Sequence, residues 1–347
     1  MNTDNKTYPV KVGNVVIGGG NNISIQSMTN TSTSNAEETL QQILQLFRSG
    51  CDLIRVAFTT NEEANSFEKI TSKSPIPVIA DIHFNYKLAL EAIERGAAKI
   101  RINPGNIGSR EKLKEVVDKA GSNKIPIRIG VNSGSIEKNI LKKYGGPTSN
   151  ALVESALNNV NIIQGMGFKD LVVSLKASDV ATTIKAYREF SQNSNLPLHL
   201  GVTEAGTFLS GTIKNSIGIG SLLADGIGDT LRVSLTAPPV EEIKVGKKIL
   251  QSLGLRSGIN VISCPTCART AIDVKSLADR VEEELSAQEK DLTVAVMGCS
   301  VNGPGEASEA DLGIAGGKNF VAVFKHGRII KKVKREDSLQ AILDEIE

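Results

Sequence analysis

The chain has 347 residues, and its 40 Lys and Arg nearly balance 38 Asp and Glu, for a formal net charge of +2. With 4% aromatic residues and no Trp, it lacks the basic, aromatic-studded surface of a single-strand nucleic-acid binder. No apolar run reaches the roughly 18 residues that span a bilayer, and the length suits one large domain plus one small one.

The opening MNTDNKTYPVKVG is polar and has no apolar stretch of the signal-peptide kind. The expected setting is therefore the reducing cytoplasm. There Cys51, Cys264, Cys267 and Cys299 point to metal or redox chemistry rather than a structural disulfide. VKVGNVVIGGGNN predicts a β-hairpin that plugs the bottom of a barrel. Gly18, Gly19 and Gly20 read as its turn rather than a phosphate loop, because neither Lys-Ser/Thr nor a helix follows them.

From about residue 23 to 250 one theme repeats, a short Ile/Val-rich run followed by a turn and an amphipathic stretch. The runs are ISIQSMT, DLIRVAF, PVIADIHF, AKIRINPGN, PIRIGVNSGS, DLVVSLKASD, PLHLGVTEAG and TLRVSLTA. With VEEIKVGKKILQSLG (240–254) as the last helix, the pattern predicts an α/β fold, a (β/α)8 TIM barrel over residues 1–254. A doubly wound open sheet is the alternative. After Gly254 the pattern changes to a small α+β domain, 255–347. NVISCPTC and DLTVAVMGC read as strands ending in cysteines, and IDVKSLADRVEEELSAQ as a helix. NGPGEASEADLGIAGG reads as a Gly-rich loop, FVAVFKHGRIIKKV as a hairpin turning at His326-Gly327, and DSLQAILDEIE as a final helix.

Five of the barrel runs carry a cation among apolar residues: Arg55, Arg101, Arg128, Lys176 and Arg232. Strand side chains alternate, so Arg101 shares a face with Asn103, and Arg128 with Gly130 and Asn132. Lys176 shares one with Ser174, Arg232 with Ser234, Asp81 with His83, and His199 with Gly201 and Thr203. In a barrel that face is the lumen, and its polar end is the C-terminal mouth. Asp81 and Glu204 are too few to balance five buried cations, so an anionic, phosphate-bearing ligand is expected. The alternative, a structural ion pair facing a helix, remains open for any one cation but not for all five. For His83 and His199, proton handling or substrate binding stands beside a purely structural role.

Cys264 and Cys267 form a C-x2-C pair, which alone suits zinc, a dithiol couple or a cluster. Cys299 adds a third thiol at a neighbouring strand end. Three thiols suit a [4Fe–4S] cluster, whereas structural zinc would want a fourth Cys or His. Glu306 is the nearest carboxylate to Cys299. It is either a labile ligand to the remaining iron or a solvated loop residue. Cys51 precedes the second barrel strand and reads as a buried apolar residue. A zinc hydrolase and a non-catalytic iron–sulfur sensor are the rival functions, and a sensor would not need a polar lumen.

VKVG…IGG with QSMT, LIRVA, ADIHF, IRINPGN, IRIGVNSGS, HLGVTEAG, LRVSLTA, CPTCAR and VMGCSVNGPGEA together span nearly the whole chain. In them the sequence resembles the 4-hydroxy-3-methylbut-2-enyl diphosphate synthase family of the non-mevalonate isoprenoid pathway, in its two-domain bacterial form. The resemblance implies reductive opening of 2-C-methyl-D-erythritol 2,4-cyclodiphosphate, with electrons from reduced flavodoxin or ferredoxin passing through a [4Fe–4S] cluster. It implies that Cys264, Cys267 and Cys299 each hold an iron, and that Glu306 holds the fourth until substrate displaces it. Asn302, Arg269 and the Gly303–Gly305 turn would shape the cluster pocket. Arg55, Arg101, Asn103, Arg128, Asn132, Lys176 and Arg232 would clamp the diphosphate. Asp81, His83, His199 and Glu204 would orient the carbon skeleton or handle protons. It also implies a homodimer in which one chain's cluster domain serves its partner's barrel.

Overall fold

Alternation along each strand decides which side chains meet the helices and which meet the barrel axis. The computed structural model describes residues 7–285, 288, 290–299, 305 and 307–346. These form two compact units, Met1–Leu255 and Arg256–Glu347.

The first unit opens with an antiparallel hairpin, β1 (Val10–Val12) and β2 (Val15–Ile17). Barrel strands follow: β3 (Ser24–Met28), β4 (Leu53–Ala57), β5 (Val78–Asp81), β6 (Lys99–Ile102), β7 (Ile127–Asn132), β8 (Leu171–Lys176), β9 (His199–Leu200) and β10 (Thr230–Leu231). Helices separate them: α1 (Ala36–Arg48), α2 (Ala64–Lys73), α3 (Tyr86–Glu94), α4 (Arg110–Asn123), α5 (Lys138–Tyr144), α6 (Ser149–Gln164), α7 (Val180–Asn193) and α8 (Phe208–Ala224), with α9 (Pro239–Ser252) after β10. Polar residues start several of them. Asp179 accepts the Thr182 N–H at 2.7 Å at the head of α7, and Asn85 accepts the Lys87 N–H at 3.1 Å at the head of α3.

The strands pair in parallel in the order β8-β7-β6-β5-β4-β3-β10-β9. A parallel bridge between Val173 and Leu198 brings β9 back to β8, with the Val173 N–H 2.9 Å from the Pro197 carbonyl. The ring closes, which sets the open doubly wound sheet aside and bears out the expected barrel.

Two apolar layers hold this barrel. Ile54 and Val56, Ile100 and Ile102, Ile127 and Ile129, and Leu171 and Val173 point outward into the helix layer. Inside, the bottom of the lumen is sealed by Val10, Val12 and Ile17 of the hairpin against Leu53, Ile79 and Val172. The hairpin is thus the expected plug, and it confines the polar lumen to the mouth side.

In the second unit, β11 (Asn260–Ser263), β12 (Thr293–Met297), β13 (Leu312–Gly316), β14 (Val321–Lys325) and β15 (Arg328–Val333) form one sheet in that order. The first three strands are parallel and the last two return antiparallel. Helices α10 (Val274–Glu284) and α11 (Ser338–Ile346) pack on it. The hairpin turn falls at His326 and Gly327, both at positive φ.

Two expectations are corrected. The opening hairpin turns at Gly13 and Asn14, since Val12 pairs with Val15, and Gly18, Gly19 and Gly20, read as its turn, follow β2. LGIAG, read as part of a loop, is the fully buried central strand β13. Its glycines answer to space: a Cβ at Gly313 would lie 2.3 Å from the Phe324 ring, and one at Gly316 would lie 2.5 Å from the Gly298 carbonyl.

Ile17 is fully buried in the plug. Ile17→Ala is expected to cost about 2–5 kcal/mol. Chemical denaturation of the full chain, followed by far-UV circular dichroism, should show the earlier barrel transition. An unchanged midpoint would mean that the plug contributes no stability.

Candidate active site

Within the barrel the predicted cations do face one another. Arg101 is level with Arg128 on β7 and with Asp81 on β5, and Arg55 is level with Met28 on β3 and Ile79 on β5. Asp81 anchors the group. Its Oδ1 lies 3.4 Å from Arg101 Nη1, and its Oδ2 lies 3.8 Å from Arg55 Nε and 3.5 Å from His83 Nε2. Burial alone would push this carboxyl up, but Arg55, the hydrogen bond with His83 and Arg101 outweigh it. Together they hold Asp81 well below the usual carboxylate range. Burial and the like charges of Arg232 and Arg101 pull Arg55 down to about 10 against the pull of Asp81, which leaves it charged at neutral pH.

Each cation is seated by a specific neighbour. Arg128 is almost wholly buried and donates from Nη1 to Gln26 Oε1 across the lumen at 3.1 Å. Arg55 Nη2 lies 2.9 Å from the Met28 sulfur, a weak acceptor that leaves most of the guanidinium charge uncompensated. Gly130 and Gly201 make room. A Cβ at 130 would sit 2.6 Å from Arg101 Nε, and one at 201 would sit 2.5 Å from Lys176 Nζ. Burial and the surrounding cations, Arg128 first, pull Lys176 well below its ordinary value. His199 is buried with neither ring nitrogen hydrogen-bonded, and burial, Arg128 and Lys176 pull it down too. Its backbone is fixed from outside, where the Tyr187 hydroxyl donates to the His199 carbonyl at 2.5 Å.

The remaining predicted residues line the mouth or its loops. Asn103 is buried and accepts the Gly105 N–H at 3.1 Å; Asn132 and Ser234 are half-buried. His83 and Glu204 are exposed beyond the ends of β5 and β9. Glu204 and Phe84 have left-handed backbones, φ +52° and +61°, the kind of local strain that collects in functional loops. The charge reckoning needs one correction. Beyond Asp81 and Glu204, buried Glu242 reaches in from α9, its Oε1 3.3 Å from Arg232 Nη2 and its Oε2 3.3 Å from the Ser27 hydroxyl. Arg232 is therefore partly neutralised by the fold itself.

Sequence reading also passed over Gln26, Met28 and Lys99. Lys99 carried the clearest signal, since it stands two residues before Arg101 and therefore on the same face. It is fully buried in the lumen.

In the second unit, Cys264 follows β11 and Cys299 follows β12, and these strands are parallel neighbours. The Gly298 N–H donates to Cys264 Sγ at 3.1 Å, and the Cys267 N–H donates to Thr270 Oγ1 at 3.0 Å. The Arg269 backbone N–H and side chain pull the exposed Cys267 thiol below its ordinary value, favouring the thiolate that iron binds. All three thiols are free. Among the described residues no three His, Cys, Asp or Glu side chains converge on a single ion. A cubane does not ask for that, because each thiolate takes a different iron. These donors suit an iron–sulfur cluster. Glu306 and Asn302 lie outside the described residues. Cys51 plays no part here; it is buried, its thiol donates to the Leu53 carbonyl at 3.1 Å, and burial pushes it up to about 12.

The arrangement is thus a cation-lined lumen on one unit and three free cysteines on the other. The description of the GcpE TIM-barrel domain matches residues 7–247, and that of the GcpE protein C-terminal domain matches residues 260–347. The chain belongs to the GcpE family. Proteins named 4-hydroxy-3-methylbut-2-en-1-yl diphosphate synthase (flavodoxin) are similar over nearly their whole length. One from Natranaerobius thermophilus is 58% identical over 99% of this chain and 96% of its own. Another, from Clostridium perfringens, is 58% identical over 99% and 98%. Among solved structures, dihydropteroate synthase from Stenotrophomonas maltophilia superposes with a TM-score of 0.51 at 13% identity. That match covers 70% of this chain and 98% of the other, and shares the barrel fold alone.

Gly130→Ala tests the seating of Arg101 in this GcpE barrel. The new methyl displaces the guanidinium, so inorganic pyrophosphate should bind roughly ten- to a hundredfold more weakly, the loss of one contact to a charged group. Calorimetric titration measures this, and unchanged affinity would remove Arg101 from the anion site.

Proposed function

We infer that the chain catalyses reductive ring opening and dehydration of 2-C-methyl-D-erythritol 2,4-cyclodiphosphate to 4-hydroxy-3-methylbut-2-enyl diphosphate, a step of isoprenoid biosynthesis. The observation that carries this is a barrel mouth whose buried cations outnumber its carboxylates, on the same chain as three free thiols in the segments that follow two parallel strands. Relatives 58% identical over nearly full length bear the matching name.

The reaction balances as follows. The dianionic ring compound takes up two electrons and one proton. The ring bond from carbon to phosphate oxygen breaks, the tertiary hydroxyl leaves as water, and the diphosphate gains a third negative charge. Arg55, Arg101, Arg128, Lys176 and Arg232, with Asn103, Asn132 and Ser234, are the groups that hold the diphosphate. Guanidinium forks suit phosphate oxygens, and cations fixed beforehand favour the state in which charge develops on them. Asp81 keeps Arg55 and Arg101 in place by ion pairing. His83 and Glu204 stand at the mouth to orient the carbon skeleton or deliver the proton, and His199 lies deeper.

Cys264, Cys267 and Cys299 would hold a [4Fe–4S] cluster, which would supply electrons one at a time. Glu306 would be the labile ligand of the fourth iron. The donor is reduced flavodoxin or ferredoxin, and free thiols of this kind fit a cytoplasmic setting. Among the described residues no helix is long and apolar enough to cross a membrane.

The working form is a homodimer. Helix α8, FLSGTIKNSIGIGSLLA, carries apolar residues on its outward face as well as on its buried one. It leaves Phe208, Leu209, Ile213 and Ile217 about half exposed or more, a face that a second copy would cover.

Purified without oxygen, the protein should be brown and carry about four irons and four sulfides per chain. It should release the allylic diphosphate when given reduced flavodoxin. Glu306→Ala should keep the iron and lose turnover. Zinc without sulfide would sink the reading.

Coexpressing Arg128→Leu with Cys264→Ser tests which chain serves which barrel. If the partner's cysteines serve each barrel, a mixed dimer holds one intact site, and random assembly restores about a quarter of wild-type turnover. No recovery in mixed dimers confirmed by tag pull-down would place both parts of a site on one chain.

A further inference from the structure

Lys99 is fully buried, and its Nζ has no hydrogen-bond partner. It is level with Ile79, which belongs to the apolar plug with Leu53 and Val172, so its stem rises from the sealed floor of the lumen. The charged groups facing it across the lumen are almost all positive: Arg55 from β4, Arg101 above it on β6 and Arg128 from β7. Lys176 follows from β8 and His199 from β9, while Arg232 beyond β10 is tied to Glu242. Asp81, the carboxylate among these strands, is already engaged by Arg55, Arg101 and His83. Ser24 Oγ, Gln26 Nε2, Arg128 Nε and both His199 ring nitrogens also lack partners at this depth.

An ammonium in such a place is stripped of bulk solvent by burial and faces like charges with no carboxylate paired to it, so the amine is the favoured form. Burial, Arg128 and Arg55 accordingly pull Lys99 well below its ordinary value. An anion on the guanidinium layer reverses the local field. We propose that Lys99 is a proton-taking residue of the substrate site, a neutral amine in the substrate-free enzyme that becomes an ammonium when a diphosphate seats above it. Binding then draws a proton from solvent onto Nζ. The new charge lies beneath the group that gains negative charge when the ring opens. This rests on the diphosphate reading of the barrel. Lys99 acts here through the field it adds, as a positioning residue.

The test is calorimetric titration of the anaerobic holoenzyme with the cyclic diphosphate, and separately with inorganic pyrophosphate. Buffers of different ionisation enthalpy at one near-neutral pH give the proton count. Wild type should take up protons on binding. Lys99→Met and Lys99→Gln should take up about one fewer and bind roughly ten- to a hundredfold more weakly, with an unchanged cluster spectrum. Uptake equal in wild type and variants would assign it to Lys176 or His199 and overturn the proposal. So would a wild type that takes up none, a result that needs no variant.

A second readout needs no ligand. Between its folded and unfolded pKa values Lys99 holds fewer protons folded than unfolded, so it costs stability that returns as pH rises. Lys99→Met should therefore be more stable than wild type, by a margin that shrinks toward alkaline pH. A margin independent of pH would overturn the proposal. The two readings fail separately. Pyrophosphate binding with Lys99-dependent uptake, but no binding of the cyclic diphosphate, would sink the substrate and keep Lys99. Turnover of the cyclic diphosphate with Lys99-independent uptake would do the reverse.

Discussion

Positive charge packed without matching negative charge inside a sealed barrel is the constraint on which the first unit turns. Arg128 and Lys99 are both buried in the lumen on neighbouring strands, and Asp81 must serve Arg55, Arg101 and His83 at once. Such a centre opposes folding, because each cation loses its water and gains a like-charged neighbour. The structure offsets this with apolar material on both sides of the strand ring. The outward Ile, Leu and Val residues pack under the helices, and the hairpin closes the floor. Without that floor, water would reach the cations from below and weaken their pull on an anion at the mouth.

Much of this was legible from alternation. A lone Arg between Ile residues in IRINPGN or IRIGVNSGS has one physical meaning in a barrel strand: its neighbours face the helices and it faces the axis. The same rule would have found Lys99. It was passed over because AKIR reads as the polar start of a strand, where a lysine is commonly solvated. Its burial follows from its level in the barrel, beside Ile79 of the apolar floor. Glu242 was invisible for a related reason. It lies on a helix whose pattern reads as amphipathic, and its reach to Arg232 depends on how α9 packs against β3. In the second unit, Gly and Ala in LGIAG suggested a loop. Their actual cause is crowding by Phe324 and the Gly298 backbone on both faces of a central strand.

The glycines of the lumen follow the same logic. Gly130 and Gly201 stand where a strand would normally place a side chain toward the axis, and each leaves that volume to a cation from the neighbouring strand. A barrel axis filled with alternating Val and Leu would be more stable and would bind nothing. Here the space that three apolar layers would occupy is divided between one apolar layer at the floor and a polar one above it.

This division also explains why the folded state should depend on what it binds. The cations cannot relax apart, because each belongs to a strand fixed by parallel hydrogen bonds to two neighbours. Only two responses remain: to lose protons, which guanidinium groups do not do and amines can, or to gain an anion. Arg and Lys are therefore not interchangeable inside this lumen. The guanidinium groups of Arg55, Arg101 and Arg128 keep their charge in every state and present the planar forks that suit phosphate oxygens. With the proton uptake proposed for Lys99, the total charge would follow the ligand. A site built of arginines alone would carry its full electrostatic strain whenever substrate was absent; one built of lysines alone would shed the charge that recognises a diphosphate.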